Sequence, residues 1–347
     1  MKHEFRIQDP THPDTIYLIE SIAESVREAK AGMGIFAFAS LQGVDALLED
    51  DDFAAFLGRG TFDLIVGIDA VTNRPTLERL QSFDNRIPNL NVRVFWNRRS
   101  GGLFHPKITR FVRQDGSRTA IVGSGNLTPG GLWDNYEAYS VVTADPDEDL
   151  DLSEWDSFVT RHAADIQVID EEALERAARN IIRGGRRRRD VEPDVVTTEE
   201  EPDEEPDTEE EQPDARVLVA QVPKAGDRWD QVHFNVDVAQ QFFRVEPASN
   251  LRVFMTAVAP TGSLSPQEVR KVRKDVGNSN VRIELKARKG TAYPAQGVPV
   301  AVFREDQART FRYVILMPGE PGHAEMFQLT EELEPVGRGH RRAITGL

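Results

Sequence analysis

The segment that most constrains this chain is one that cannot fold. Residues 190–214 hold 14 aspartates and glutamates, four prolines and no lysine or arginine. Like charges at that density repel, proline removes backbone donors, and almost nothing apolar is available to bury, so a disordered tether is expected. Gly184-Gly-Arg-Arg-Arg-Arg189 leads into the run, which places the linker at 184–215. The chain is thereby divided into a part spanning 1–183 and a part spanning 216–347. With 347 residues, 39% of them hydrophobic, each part is long enough to bury a core.

The net charge of −16 looks unfavourable for a polyanionic partner, but the linker carries most of it: residues 216–347 hold 19 Lys+Arg against 14 Asp+Glu. A sharper reading of the tether is that it mimics a polyanion and occupies a basic groove until substrate displaces it. There is no cysteine, which excludes disulfides and thiolate-bound zinc and fits a reducing compartment. The opening residues, Met-Lys-His-Glu-Phe-Arg, lack the apolar core of a secretory signal. Apolar stretches such as Gly34–Ala39 are too short to span a bilayer. The expected location is the cytoplasm.

The first part alternates helix and strand patterns. Ile16, Ile19, Ile22 and Val26 predict a helix over 14–31, residues 43–56 a second, 74–83 a third and 170–182 a fourth. Apolar runs at 34–40, 62–68, 91–96 and 138–143 predict strands. That alternation implies an α/β domain, its sheet mostly parallel or mixed and sandwiched by helices. The second part is smaller and β-rich, with strands expected at 216–222, 251–257, 281–287, 298–303 and 310–317. Ser265-Pro-Gln-Glu268 reads as a capped helix start, with Gly277 placed to end the helix. That helix would carry Arg270, Lys271, Arg273 and Lys274, and Arg282 and Lys286 would line the basic face of the next strand. These six are the candidate DNA contacts, though the same pattern also describes solvated surfaces.

The chemistry concentrates between residues 104 and 137. Two strand-like runs flank Asp115-Gly116, a two-residue hairpin signal. With that turn, Gln114 pairs with Ser117, His105 stands opposite Asn126 and Lys107 opposite Ser124. Opposed Cβ atoms lie ~5 Å apart, so four polar side chains converge. An imidazole, an ammonium, a hydroxyl and an amide suit a phosphate: a nucleophile, a cation and two orienting groups. No carboxylate pair joins the cluster to hold a metal, so no metal or cofactor is expected and Lys107 must supply the positive charge. Ser124 could instead cap the following turn, and Thr128-Pro-Gly-Gly131 reads as a turn positioned to start a helix or loop beside the phosphate.

His105-Pro-Lys107 followed by Gly123-Ser-Gly-Asn126 resembles the His-x-Lys…Gly-Ser-x-Asn signature of the phospholipase D superfamily. The longer runs Phe104-His-Pro-Lys and Gly-Ser-Gly-Asn-Leu-Thr-Pro-Gly-Gly-Leu132 are most similar to its bacterial nuclease and restriction-endonuclease members. The resemblance, over roughly residues 30–145, implies that His105 attacks phosphorus to give a phosphohistidine while a second histidine protonates the leaving oxygen and later activates water. Lys107, Asn126 and Ser124 would clamp the phosphoryl oxygens, and Glu137, eleven residues after Asn126, would orient the imidazole. The chain departs from the family pattern at Val112, where an aspartate usually stands. None of the other six histidines has a lysine two residues on, so the implied two-histidine chemistry calls for a homodimer sharing one composite site.

The expected function is a metal-independent DNA endonuclease, in a restriction or phage-defence setting that could include other subunits. Two rivals stand beside it. A lipid or other small phosphodiesterase would share the chemistry but need membrane affinity. A non-catalytic DNA-binding or complex-forming subunit with a degenerate site would be indifferent to the loss of His105.

Overall fold

A computed structural model describes residues 1–98, 102–180, 216–224, 231–246, 249–274, 280–288, 290–332 and 343–345. The linker at 184–215 and the expected helix end at Gly277 lie outside them.

In the first part the elements run β1 (Lys2–Gln8), α1 (Leu18–Ser25), β2 (Ala29–Phe36), α2 (Leu41–Leu48), α3 (Asp51–Leu57), β3 (Thr61–Gly67), α4 (Arg74–Arg86), β4 (Leu90–Phe95), β5 (Lys107–Arg113), β6 (Arg118–Gly123), β7 (Glu137–Ala144), α5 (Ser153–Arg161), β8 (Ile166–Gln167) and α6 (Glu171–Ala177). Eight strands form one mixed sheet in the order β1-β7-β6-β5-β2-β3-β4-β8, with β2, β3 and β4 parallel. Helices α1 to α4 and α6 bury their apolar stripes on one face, around Phe53, Phe56, Phe62 and Phe111. Helix α5 covers part of the other through Trp155 and Phe158. This is the expected mixed sheet between helices.

Several boundaries differ from the periodicity reading, each for a local reason. The helix expected over 14–31 is confined to α1, because Ala29 already pairs with Arg113 in the sheet. The single helix expected over 43–56 is two: the first ends at Leu48, and Asp50 caps the next, accepting from the amides of Asp52 (3.0 Å) and Phe53 (3.2 Å). The hairpin is out of the expected register by one. Arg113, not Gln114, pairs with Ser117 (N to O 2.9 Å), leaving a three-residue loop with Gly116 at φ +93°. Asp115 drives this by accepting from both the amide (2.9 Å) and the hydroxyl (2.7 Å) of Ser117. Ile108 therefore faces Val122, and continuing that register sets Lys107 against Gly123 rather than Ser124.

The second part contains β9 (Val217–Gln221), β10 (Gln231–Asn235), α7 (Val236–Gln241), β11 (Arg252–Ala257), β12 (Glu268–Lys271), β13 (Arg273–Lys274), β14 (Asn280–Glu284), β15 (Val300–Gln307), β16 (Thr310–Leu316), α8 (His323–Glu332) and β17 (Ala343–Thr345). They form a six-stranded sheet, β12-β11-β16-β15-β9-β17, and a three-stranded one, β10-β14-β13. The capped helix expected after Ser265 does not form. Arg270, Lys271, Arg273 and Lys274 lie on strands β12 and β13 instead. The Ser265 hydroxyl accepts from the Ala257 amide at 2.9 Å, and pairing of residues 268–271 with β11 outweighs the local capping signal.

The two parts meet along a charged and aromatic seam. Arg252, wholly buried, donates to Asp50 (2.9 Å) and Asp52 (2.8 Å) at the start of α3. Lys271 reaches Asp52 at 2.8 Å, and Arg273 pairs with Asp51. Phe254 of β11 packs into the core of the first part.

This seam makes a pH prediction. Burial pushes the Asp52 carboxyl up, but the Lys271 hydrogen bond and the Arg252 charge outweigh it and hold the group below the ordinary carboxylate value. A depressed folded-state pKa contributes stability that is present above the unfolded value and lost as pH falls through the folded one. Thermal unfolding followed from roughly pH 5 to pH 2 should therefore lose stability more gently in Asp52→Asn than in wild type. Parallel curves would show that the carboxylate contributes nothing there.

Candidate active site

Three of the five expected site residues gather at the carboxyl end of β2, where it runs parallel to β3. Ligands commonly bind at that end of parallel strands. Lys107, the first residue of β5, pairs with Phe36 and is buried at 8% exposure. Its Nζ lies 2.7 Å from Nδ1 and 2.8 Å from Nε2 of His105, and it donates to the His105 carbonyl at 3.3 Å. A neutral imidazole offers one acceptor nitrogen, so the ammonium can donate to only one of the two, and the other carries the ring proton. The ring itself is exposed and packs edge-on against Phe38, centroids 5.6 Å apart.

Asn126 is held from the same residue. Its Oδ1 accepts the Phe38 amide at 3.2 Å, and it is fully buried. That bond commits the amide oxygen to the backbone and fixes the orientation of its two N–H donors. The neighbouring main chain is locked in turn: Leu127 donates to the Phe38 carbonyl (3.0 Å), and Ser40 donates to that of Leu127 (3.0 Å).

The other two residues form a second pair. Ser124, exposed, donates its hydroxyl to Glu137, which is 9% exposed, and accepts from the Ala138 amide at 3.1 Å. The Ser124 hydroxyl is thus engaged with the carboxylate rather than set opposite Lys107.

Sequence reasoning missed Phe38, whose ring and amide hold two site residues at once; nothing in its local pattern separates it from other core positions. Thr128–Gly131, expected as a turn that starts a helix or loop, leads into a π-turn at Gly130–Asp134. The Gly-Gly pair was the available signal. A Cβ on Gly131 would stand 2.2 Å from the Asn126 nitrogen, and one on Gly125 2.5 Å from the Gly131 carbonyl oxygen. Only glycine permits such backbone contact.

The six basic residues fare unevenly as candidate DNA contacts. Lys271 and Arg273 are engaged in the seam, Arg270 pairs with Glu268, and Lys286 stands 3.9 Å from Glu268. Lys274 is exposed, and Arg282 lies cross-strand from both His233 and Arg273.

No protein-family profile matches the chain, and no curated protein matches it by sequence. Among solved structures it is similar to NucT from Helicobacter pylori, at 14% identity and TM-score 0.35, over 48% of this chain and 99% of that one. It is also similar to Nuc from Salmonella typhimurium, described as a phospholipase D family member (15%, TM-score 0.32, 47% of this chain and 93% of that one). A third is the yeast tyrosyl-DNA phosphodiesterase (11%, TM-score 0.32, 48% and 42%). These are partial likenesses.

Proposed function

We propose that this protein is a phosphodiesterase of the phospholipase D type that needs no metal ion, and that its substrate is DNA, cut internally. The observation that carries the reading is the clustering of His105, Lys107 and Asn126 around Phe38. An exposed imidazole is backed by a buried ammonium and a fixed amide. Buried donors that need not reorganise are what a phosphoryl group gathering negative charge requires. Lys107 supplies the charge that a metal would otherwise provide.

In this reading an imidazole nitrogen of His105 attacks phosphorus and the P–O bond to the leaving strand breaks. The departing oxygen takes its proton from the His105 of a second copy across a twofold axis. That second imidazole, now neutral, removes a proton from water. The resulting hydroxide displaces His105 from phosphorus, leaving a 5′- or 3′-phosphate and the starting enzyme. Glu137 holds Ser124 beside the cluster, and Ser124 lends a further polar contact. The second part of the chain contributes DNA affinity through its basic strands. No helix among the described residues is long and apolar enough to cross a membrane, and a DNA substrate needs none.

The test is cleavage of plasmid and single-stranded DNA in excess EDTA. The proposal expects nicking and linearisation undiminished by chelator. Activity that vanishes with EDTA and returns with a divalent cation would sink it.

A further inference from the structure

We infer that the second part of the chain positions the phosphate-binding amide of Asn126, acting through Trp133 and Gln267. This deepens the phosphodiesterase reading and, for its catalytic arm, rests on it.

The path is short. Trp133, 2% exposed, is the fourth residue of the π-turn that follows the Gly-Ser-Gly-Asn loop. Its Nε1 donates to Oε1 of Gln267 at 2.6 Å, and its ring stacks on Phe254 of β11, centroids 5.3 Å apart at 20°. Phe254 is itself fixed by Tyr17, edge-on at 4.9 Å, whose hydroxyl donates to the Ala308 carbonyl at 3.1 Å. The indole, itself part of the first part's core, is therefore also held by two residues from beyond position 250, Gln267 and Phe254.

At the other end of the turn, the backbone of Gly131 lies against that of Asn126 with no side chain between them. Side chains yield to a shift by changing rotamer, but abutting main chains pass it on. The turn has little slack of its own: Leu132 donates to the Thr128 carbonyl (2.9 Å), Asn135 to that of Gly130 (2.9 Å), and the Gly131 amide to the Thr128 hydroxyl (3.2 Å). Where the indole sits thus determines where Gly131 sits, and Gly131 sets the Asn126 backbone. Single π-turns often accompany functional sites, and here the widened turn brings the tryptophan out to the seam. Trp133 and Gln267 are positioning residues; neither touches the phosphate.

Gln267→Met removes the acceptor at similar length, Gln267→Glu restores it, and Trp133→Phe keeps the stack without the N–H. In Gln267→Met and Trp133→Phe, kcat should fall about tenfold, short of the ~10²-fold that a 1 Å misplacement can cost. KM and DNA affinity should stay within about twofold, and Gln267→Glu should recover most of the loss. Because Gln267 is only half-buried, its variants carry the test if Trp133→Phe does not fold. The second readout is independent of catalysis: the Asn126 side-chain amide signals in the NMR spectrum of the free protein should move in Gln267→Met and return in Gln267→Glu. Unmoved signals, or moved signals with unchanged kcat, overturn the inference. Signals that move and return while wild type cleaves nothing support the positioning and overturn only the phosphodiesterase reading.

Discussion

His105→Ala should abolish cleavage, lowering the single-turnover rate by about 10⁴-fold or more, while DNA affinity stays within about twofold. The asymmetry follows from the geometry. The imidazole is exposed and edge-packed on Phe38, so truncation leaves the core intact. Lys107 and Asn126 remain anchored through Phe36 and Phe38, so a phosphate still finds its cation and its amide. In the proposed mechanism, what disappears is the atom that bonds to phosphorus and, in the second copy, the group that protonates the leaving oxygen. One substitution therefore removes both roles, and mixing the variant with wild type should give heterodimers that are also inactive. Rapid acid-free quenching of wild type with substrate should trap phosphate on His105, detectable by mass spectrometry. A variant that keeps a tenth of the activity would remove His105 from the mechanism. A variant that loses DNA binding in parallel would show that the ring serves recognition.

Glu20→Ala should destabilise the folded protein by about 3–5 kcal/mol, the usual consequence of removing one partner from a buried ion pair. Glu20 and Arg309 have side-chain exposures of 1% and 0%, and the carboxylate does more than neutralise the guanidinium. Its Oε1 accepts the Arg252 amide at 2.6 Å, and its Oε2 accepts the Tyr17 amide at 2.9 Å. Arg309 also donates to the Thr15 carbonyl and lies 4.6 Å over the Tyr17 ring. Removing the carboxylate leaves a buried cation and two backbone donors without their partner. Glu20→Gln, which keeps the acceptor oxygen, should cost roughly half as much. The double replacement Glu20→Leu with Arg309→Met should recover much of the loss, because two apolar groups need no partner. Urea unfolding of the four proteins decides it. A loss below about 1 kcal/mol in Glu20→Ala would mean that water reaches the pair.

Much of the candidate site was legible because its residues are close in sequence and their types are chemically unusual together. His105 and Lys107 two apart, and Gly-Ser-Gly-Asn after a hairpin, specify a polar cluster from strand periodicity alone. The same periodicity marked the alternation of strands and helices in the first part. The hairpin register was misjudged by one because the Asp115 side chain, bonding Ser117, selects a three-residue loop. That error moved Ser124 from Lys107 to Glu137. The Ser265 capping signal failed for a related reason: a local preference of about 1 kcal/mol yields to a whole strand's pairing with β11.

The sequence by itself gathered an imidazole, an ammonium, a hydroxyl and an amide into residues 105–126, since a hairpin of neighbouring strands must bring those groups together. Tertiary structure decided what holds them in place. Phe38 grips two site residues from a strand end nearly 70 positions upstream of His105. Arg309, at φ +59° in a turn without glycine or asparagine, completes an ion pair with a residue 289 positions away. Gln267 reaches Trp133 across 134 positions. Contacts of that span carry no periodicity, because they depend on how two sheets dock, and docking is set by the whole buried surface rather than by any local run of residues.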